Sequence, residues 1–457
     1  MMKKLCLLLL IASTTATFAQ ERYTFTLQEA VTFAIDSNYT ALNARRDIAK
    51  AIKQKWETTA TGLPQISGNI QYQNQLKQPV TFLPAEFTGG EPGTFTPVVF
   101  GIQQNASATA TLDQLIFDGS YLVGLQAAKA FLDFSENAAE KTNLEVRKGV
   151  INAYGSVLLG EELVAIFERN KVNLEKNLFE TRKVFENGLE EEESVEQLEI
   201  TLIDIQIQLD NAKRSRDIAR QMFNVALGIS VDSEVTFTDS LDALAQDNIE
   251  LQLMGTNLNI EENVDFKIAE NLTTQRELEL KLEKSRALPT LSAFVNYGTA
   301  AASNEFEFFN SDLPWFQSSI LGVNMNIPIF SSGMRSAKTK RARIAFDQAK
   351  TELEETIQNV TLELNSSKSN YKFAIDSYEN SKKNLNLAER IEAKNQVKFS
   401  EGLSSSFELR QAQTQLYSAQ QQYFQSMLNV INAKADMETI LNTPDLRIES
   451  DSIRGKY

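Results

Sequence analysis

Gln65-Ile66-Ser67-Gly68-Asn69-Ile70-Gln71-Tyr72-Gln73-Asn74-Gln75-Leu76 decides the architecture of this chain. One parity reads Ile66, Gly68, Ile70, Tyr72, Asn74 and Leu76, and the other Gln65, Ser67, Asn69, Gln71, Gln73 and Gln75. Alternation with period two over about ten residues marks a strand with one apolar and one polar face. The texture recurs from Ile102 to Ile116, where Ile102, Ala106, Ala108, Ala110, Leu112 and Ile116 oppose Gln103, Asn105, Ser107, Thr109, Thr111 and Asp113. Gln104 and Gln114 are the exceptions on the apolar parity. Leu291, Ala293, Val295 and Tyr297 oppose Ser292, Asn296 and Gly298, with Phe294 out of pattern. Leu321, Val323, Met325, Ile327 and Ile329 oppose Gly322, Asn324 and Asn326. The expected strands are therefore 65–76, 101–117, 290–299 and 318–330. Strands apolar outward and polar inward build membrane barrels, although a soluble antiparallel sheet packed on a helix alternates in the same way. Four strands cannot close a barrel; two copies would give eight with a filled interior, and three would give twelve around a passage.

The prolines separate these regions from the rest. They fall at 64, 79, 84, 92, 97, 289, 314, 328 and 444, leaving 98–288 and 329–443 free of them. Proline inside a helix costs about 3 kcal/mol, so long proline-free tracts rich in Ala, Leu, Glu, Lys and Gln predict long helices. Two are expected, from about 120 to 186 and from 334 to 400. Each would run about 100 Å at 1.5 Å per residue. Asn187-Gly188-Leu189 and Glu401-Gly402-Leu403 end them with the glycine that a left-handed helix cap favours. A shorter helix returns from each turn, and residues 27–60 and 262–286 complete the helical height.

The chain repeats itself. Phe185, Gly188, Leu189, Gln197, Leu202, Gln206, Gln208 and Leu227 each recur 214 positions later, from Phe399 to Leu441. The long helices share a register too: Val146, Val150, Ala153, Val157, Gly160, Val164 and Phe167 step by four and three, as do Val360, Leu364, Ser367, Tyr371, Ala374, Tyr378 and Ser381. That stepping is 3.5 residues per turn, a seam packed in the manner of a coiled coil. The expected organisation is a first repeat over 20–229, an inter-repeat segment over 230–261, a second repeat over 262–443 and a tail over 444–457.

Composition removes other classes. The 457 residues hold 45 Lys+Arg, 60 Asp+Glu, no His and one Cys. Without His there is no His-based triad and no His-ligated metal, and a formal charge of −15 opposes binding to nucleic acid. Met1-Met2-Lys3-Lys4, the apolar run Leu5 to Ala12, and Thr17-Phe18-Ala19-Gln20 fit an export signal over 1–19, which would take Cys6 with it. No later run of 18 apolar residues predicts a membrane-spanning helix. A spanning segment would then be a strand in a closed barrel. An enzyme, a cofactor and a metal site are not expected.

These features together resemble the TolC family of outer-membrane efflux and secretion channels. The resemblance is carried by Phe25-Thr26-Leu27-Gln28-Glu29-Ala30-Val31, by Leu63-Pro64-Gln65-Ile66-Ser67 and Leu288-Pro289-Thr290-Leu291-Ser292, and by the two Gly-Leu turns. Its most specific stretch runs from Gly402-Leu403 through Phe407-Glu408-Leu409-Arg410-Gln411 to Leu416. The resemblance implies a mainly helical fold with long antiparallel hairpins forming an α-barrel. It also implies four strands per chain in a shared 12-stranded barrel, within a homotrimer in the outer membrane that reaches into the periplasm. It further implies a passive duct that docks a periplasmic adaptor (membrane fusion) protein and, through it, an inner-membrane RND or ABC transporter. A periplasmic coiled-coil adaptor or scaffold without a pore is the alternative reading.

Family gates lie at the hairpin tips, here expected near 187–194 and 400–407. By the resemblance, Glu408 stands where one acidic ring would lie, and Gln411 replaces the next acid. Phe399 replaces a network tyrosine, Ser404 an arginine and Ser194 an aspartate. The candidate gate residues are Gly188, Leu189, Glu190, Glu191, Glu192, Glu193 and Ser194 in the first tip, and Phe399, Gly402, Leu403, Glu408 and Gln411 in the second. Like carboxylates about 4 Å apart repel by about 4 kcal/mol at an effective dielectric of 20, so a ring of them would bias a narrow gate toward cations.

Overall fold

A computed structural model describes residues 22–256 and 259–453; the expected export signal and the last four residues lie outside the described residues. In chain order the elements are β1 (Arg22–Phe25), α1 (Leu27–Ser37), α2 (Tyr39–Ala60), β2 (Gln65–Asn74), β3 (Val80–Pro84), β4 (Phe95–Val99) and β5 (Gln104–Phe117). They continue with α3 (Gly119–Glu186), α4 (Glu192–Leu227), β6 (Glu234–Phe237), α5 (Leu241–Asp247) and α6 (Val264–Ser285). The last are β7 (Thr290–Ser303), β8 (Phe316–Asn326), α7 (Met334–Ser400), α8 (Ser406–Ile440) and α9 (Ser450–Ile453). Helices α3 and α7 have 68 and 67 residues, as the proline-free tracts predict. The chain divides into two compact units, and each draws on both sequence repeats.

One unit, Lys50–Asp133 with Asn271–Lys350, holds a four-stranded antiparallel sheet in the order β2-β5-β7-β8. Directly paired residues share a face, so the register converts alternation into rows. Ile66, Leu112, Val295 and Leu321 form one row, and Gly68, Ala110, Tyr297 and Ser319 the next. The opposite face carries rows such as Ser67, Thr111, Asn296 and Ile320. Both polar exceptions on the apolar parity are satisfied. Gln104 accepts from the Tyr72 hydroxyl at 2.9 Å, and Gln114 donates to the carbonyls of Gly62 and Leu115.

The structure departs from the alternation at three places. Between Leu115 and Phe117 the register shifts, so Phe117 rather than Ile116 pairs with Leu291; a bulge inserts one residue and moves the next to the other face. Strand β8 stops at Asn326 instead of 330, two residues before Pro328, which has no N–H for a ladder. Residues 77–99, between two of the expected strands, contain the hairpin β3–β4, with Val80 opposite Val99 and Phe82 opposite Pro97.

The other unit, which takes in residues up to Ala49, Phe134–Glu270 and those from Thr351, holds the hairpin tips and two apolar clusters. The predicted seam is its core: Val150, Val157, Val164, Phe167, Val360, Leu364, Tyr371, Ala374 and Tyr378 are all buried. The 230–261 segment, unassigned by pattern, supplies β6, which pairs in parallel with β1 through Tyr23–Val235 and Phe25–Phe237. The hydroxyl of buried Tyr154 donates to the Phe25 carbonyl at 3.1 Å and to the Asp239 carboxylate at 3.0 Å, and that carboxylate also accepts from Leu27 N at 2.7 Å. Residues 27–60 form two helices rather than one. Asn38 breaks them, its Oδ1 accepting from Thr40 N and Ala41 N while its Nδ2 donates to the Ala226 carbonyl. Helix α3 is long and apolar enough to span a membrane by composition, a feature the sequence reading did not expect. Val150, Tyr154, Val157 and Leu158 from it are core residues of this unit, and burial accounts for their apolarity.

Candidate functional site: the paired hairpin tips

Both tips are built from the same local rule. Gly188 and Gly402 have φ of +75° and +72°, a region that costs a residue with a Cβ about 1–2 kcal/mol. Gly188 N donates to Phe185 O at 2.8 Å and Leu189 N to Val184 O at 3.2 Å. The second tip repeats this, with Gly402 N to Phe399 O at 3.0 Å and Leu403 N to Lys398 O at 2.7 Å. This pair of bonds is the Schellman closure of a helix end. It leaves Leu189 and Leu403 standing 79% and 78% exposed at the turns. Phe399 therefore serves the cap with its carbonyl, whatever else its ring does.

The returning helices start differently. Helix α8 opens with a capping box: Ser405 Oγ accepts from Glu408 N, and Glu408 Oε2 accepts from Ser405 N, both at 3.3 Å. The same Oε2 accepts from Ser404 Oγ at 2.6 Å. These hydrogen bonds, that of Ser404 first, hold the Glu408 carboxyl below the ordinary glutamate range. The expected ring residue is thus turned back onto its own helix terminus, where a carboxylate offsets unpaired N–H groups and the positive dipole end. In the first tip, Glu190 accepts from Ser194 Oγ, the Glu191 carbonyl accepts from Ser194 N at 3.1 Å, and Glu193 accepts from Gln197 Nε2 at 2.8 Å. Glu192 and Glu193 occupy the first turn of α4. Within the Glu190–Glu193 run, the Glu190 and Glu193 side chains thus bond to residues at the start of α4.

The structure brings the two tips together through residues the sequence reading only half identified. Ser406 Oγ donates to Ser194 Oγ at 2.8 Å, and both serines are buried. With Glu190 this makes a hydroxyl chain from Ser406 through Ser194 to a carboxylate. Ser406 was missed because a first-turn serine beside an N-cap has an ordinary local explanation. Two further polar layers follow along α3. Asn177 and Gln396 exchange reciprocal amide hydrogen bonds at 3.1 Å, and Asn170 donates to Gln420 at 2.9 Å. Asn170 and Asn177 lie seven residues apart, the spacing that marks polar interruptions of a coiled-coil seam. Gln411 is exposed and lines a groove of about 610 Å³ with Phe407, Arg410 and Thr414. It does not touch the serine pair.

The chain is similar to known proteins in sequence and in fold. Residues 257–443 match the model of the outer membrane efflux protein family. Over 393 residues the chain is 24% identical to the outer membrane protein TolC of Salmonella enteritidis, covering 78% of this chain and 73% of that protein. The fold superposes on the CmeC outer membrane channel of Campylobacter jejuni with a TM-score of 0.72 at 15% identity, over 94% of this chain and 88% of that one. It superposes on the outer membrane protein VceC of Vibrio cholerae with a TM-score of 0.70 at 13% identity, over 91% and 96% of the two chains.

Proposed function

We propose that this chain, which carries the outer membrane efflux protein match over residues 257–443, is an exit duct of the outer membrane. Three copies close one barrel from their four-stranded sheets, and the long helical hairpins lie in the periplasm. The duct is passive. A periplasmic adaptor protein meets the hairpin tips and couples them to an inner-membrane pump of the RND or ABC type, which supplies the energy for efflux or secretion.

One observation carries this reading. The sheet β2-β5-β7-β8 has two unpaired edge strands and an apolar face, with Ile70 86% and Leu321 76% exposed. An open edge beside an exposed apolar face is a strong aggregation hazard in water. In a bilayer every backbone group must be paired, and edge-to-edge closure removes both problems. Three such sheets give twelve strands, enough to leave a passage where eight are filled by side chains. At the tips, the Ser406–Ser194–Glu190 chain and the amide layers beyond it hold the two hairpins of one chain together. Exposed Leu189 and Leu403 offer the adaptor an apolar contact on each tip.

Purified mature chain added to a planar bilayer tests this. Stepwise conductance with trimeric mobility before heating is the expected result. A chain that stays monomeric and water-soluble, with no conductance in any lipid, overturns it.

A further inference from the structure

The end of the sheet where β8 stops and α7 begins carries a concentration of positive charge that the channel reading leaves unused. From Arg335 to Arg343 five of nine residues are cationic and none is acidic, in a chain of formal charge −15. Arg335 serves the fold, donating to the carbonyls of Pro328 and Ile329 and to Ser331 Oγ. Lys338, Lys340, Arg341 and Arg343 do not: none is paired with a carboxylate among the described residues, and the last three are exposed. Cations in the first turns of a helix also oppose its dipole, so they do not stabilise α7.

A second feature of the same unit adjoins them. Between β8 and α7, Ile329 and Phe330 are 88% and 86% exposed. At the other edge of the sheet, α2 leads into β2 and carries exposed Trp56 in its last two turns, beside Lys53 and Lys55. Antiparallel pairing puts the start of β2 and the end of β8 at the same end of the sheet. Apolar residues, an aromatic residue and then unpaired cations is the sequence of chemistry met on passing from hydrocarbon through a headgroup layer.

We infer that Lys338, Lys340, Arg341 and Arg343 form a collar that binds the anionic phospholipid headgroups of the leaflet bordering this end of the sheet. The inference rests on the outer-membrane reading above. The four lie within the first ten residues of α7, about 15 Å of helix. The headgroup layer adds about 5–8 Å beyond the hydrocarbon, and charges act over a Debye length of about 8 Å at physiological salt. The collar therefore lies within range of lipid phosphate. Its chemistry selects phosphatidylglycerol or cardiolipin over zwitterionic lipid, and it fixes the depth at which the sheet sits.

The test uses the full mature chain reconstituted with equal phosphatidylcholine and phosphatidylglycerol, re-extracted in mild detergent, with retained lipid identified by mass spectrometry. Wild type is expected to retain phosphatidylglycerol at least about fivefold over phosphatidylcholine, the factor that about one surface cation is worth. Molar salt should abolish the preference, because the Debye length falls to about 3 Å. The variant K338Q/K340Q/R341Q/R343Q should lose it, while K338R/K340R keeps it. Circular dichroism and conductance equal to wild type show that the glutamine variant is folded. Equal retention of both lipids by wild type, or an unchanged preference in a folded glutamine variant, overturns the inference. So does collar-dependent sedimentation with isolated peptidoglycan without lipid preference, which would assign the surface to the wall polymer. Wild type without conductance in any lipid is a failure of the duct reading instead, and the lipid assay distinguishes the two.

Discussion

The ring of Phe294 lies across the strand pair on the backbone of Gly322: a Cβ built on that glycine would come within 2.4 Å of the ring. Phe294 is the one large apolar side chain that breaks the alternation of β7, and the glycine directly opposite makes room for it. An aromatic ring covering a cross-strand glycine restores packing that the glycine cannot supply. Gly322→Val is therefore expected to destabilise the four-stranded sheet by about 1–3 kcal/mol through overpacking. Gly322→Val combined with Phe294→Ala should recover part of that loss. Urea unfolding of the reconstituted protein checks both.

The two faces of β2 should respond differently to charge. Ile70→Arg puts a cation on the exposed apolar face and is expected to cost about 2–4 kcal/mol near the bilayer midplane. Asn69→Arg, its neighbour on the polar face, should change stability by less than about 1 kcal/mol and alter ion selectivity instead. Folding into vesicles and reversal potential measure the two effects. Equal costs on both faces would contradict the membrane assignment of the strand.

At the tips, Ser406→Ala removes the donor to Ser194. A net loss of about 0.5–1.5 kcal/mol is expected from one hydrogen bond. The double variant with Ser194→Ala should cost less than the sum of the singles, because both remove the same contact. Single-channel recording should show more frequent opening in each. Additive thermal shifts with unchanged gating would separate the serines from the contact between the tips.

The Glu408 cap predicts a pH response. Its folded carboxyl sits below the ordinary value, because Ser404 and Ser405 donate to it. The stabilisation is therefore complete above the ordinary glutamate range and is lost as pH falls through the lowered folded value. Amide exchange in the first turn of α8, corrected for intrinsic rate, should speed up on acidification in wild type. Glu408→Gln should flatten that dependence.

Glu140 gives the opposite sign. It is 2% exposed, accepts from Asn442 Nδ2 at 3.1 Å and has Lys267 at 3.6 Å. Burial, only partly offset by Lys267, pushes its carboxyl up. Stability from this group is greatest below the ordinary glutamate value and declines as pH rises through the raised one. Lys267→Met should destabilise at neutral pH by about 1–3 kcal/mol, since it leaves the carboxylate buried without its counter-charge. Glu140→Gln in that background should restore stability. Thermal unfolding against pH for the three proteins tests it.

Much of the architecture is legible in the amino-acid order. Strands betray themselves by period two, long helices by the missing prolines and the 4–3 seam, and their ends by Gly188 and Gly402, because these signals arise from backbone sterics and from which face meets water. The hairpin β3–β4 was not legible, since Val80–Pro84 and Phe95–Val99 include prolines and lack a long alternating run. Nor was the parallel pair β1–β6, which joins four-residue segments more than two hundred positions apart. Of the tip residues, only the glycines were legible in a definite role, as left-handed helix caps, because a positive φ is a local property. The role of Glu408 depended on which way its carboxylate turned, and composition does not encode a rotamer.

The amino-acid order alone determined that this chain has two matching halves, four amphipathic strands and two long hairpins, because periodicity and chain stiffness are local properties. Only the folded structure decided that β5 pairs with β7 to join both halves in one sheet, that Phe294 rests on Gly322, and that Ser406 reaches Ser194. Those are contacts between residues distant in sequence. Each is selected by packing and hydrogen-bond satisfaction within the finished fold, and no window of neighbouring residues carries that information.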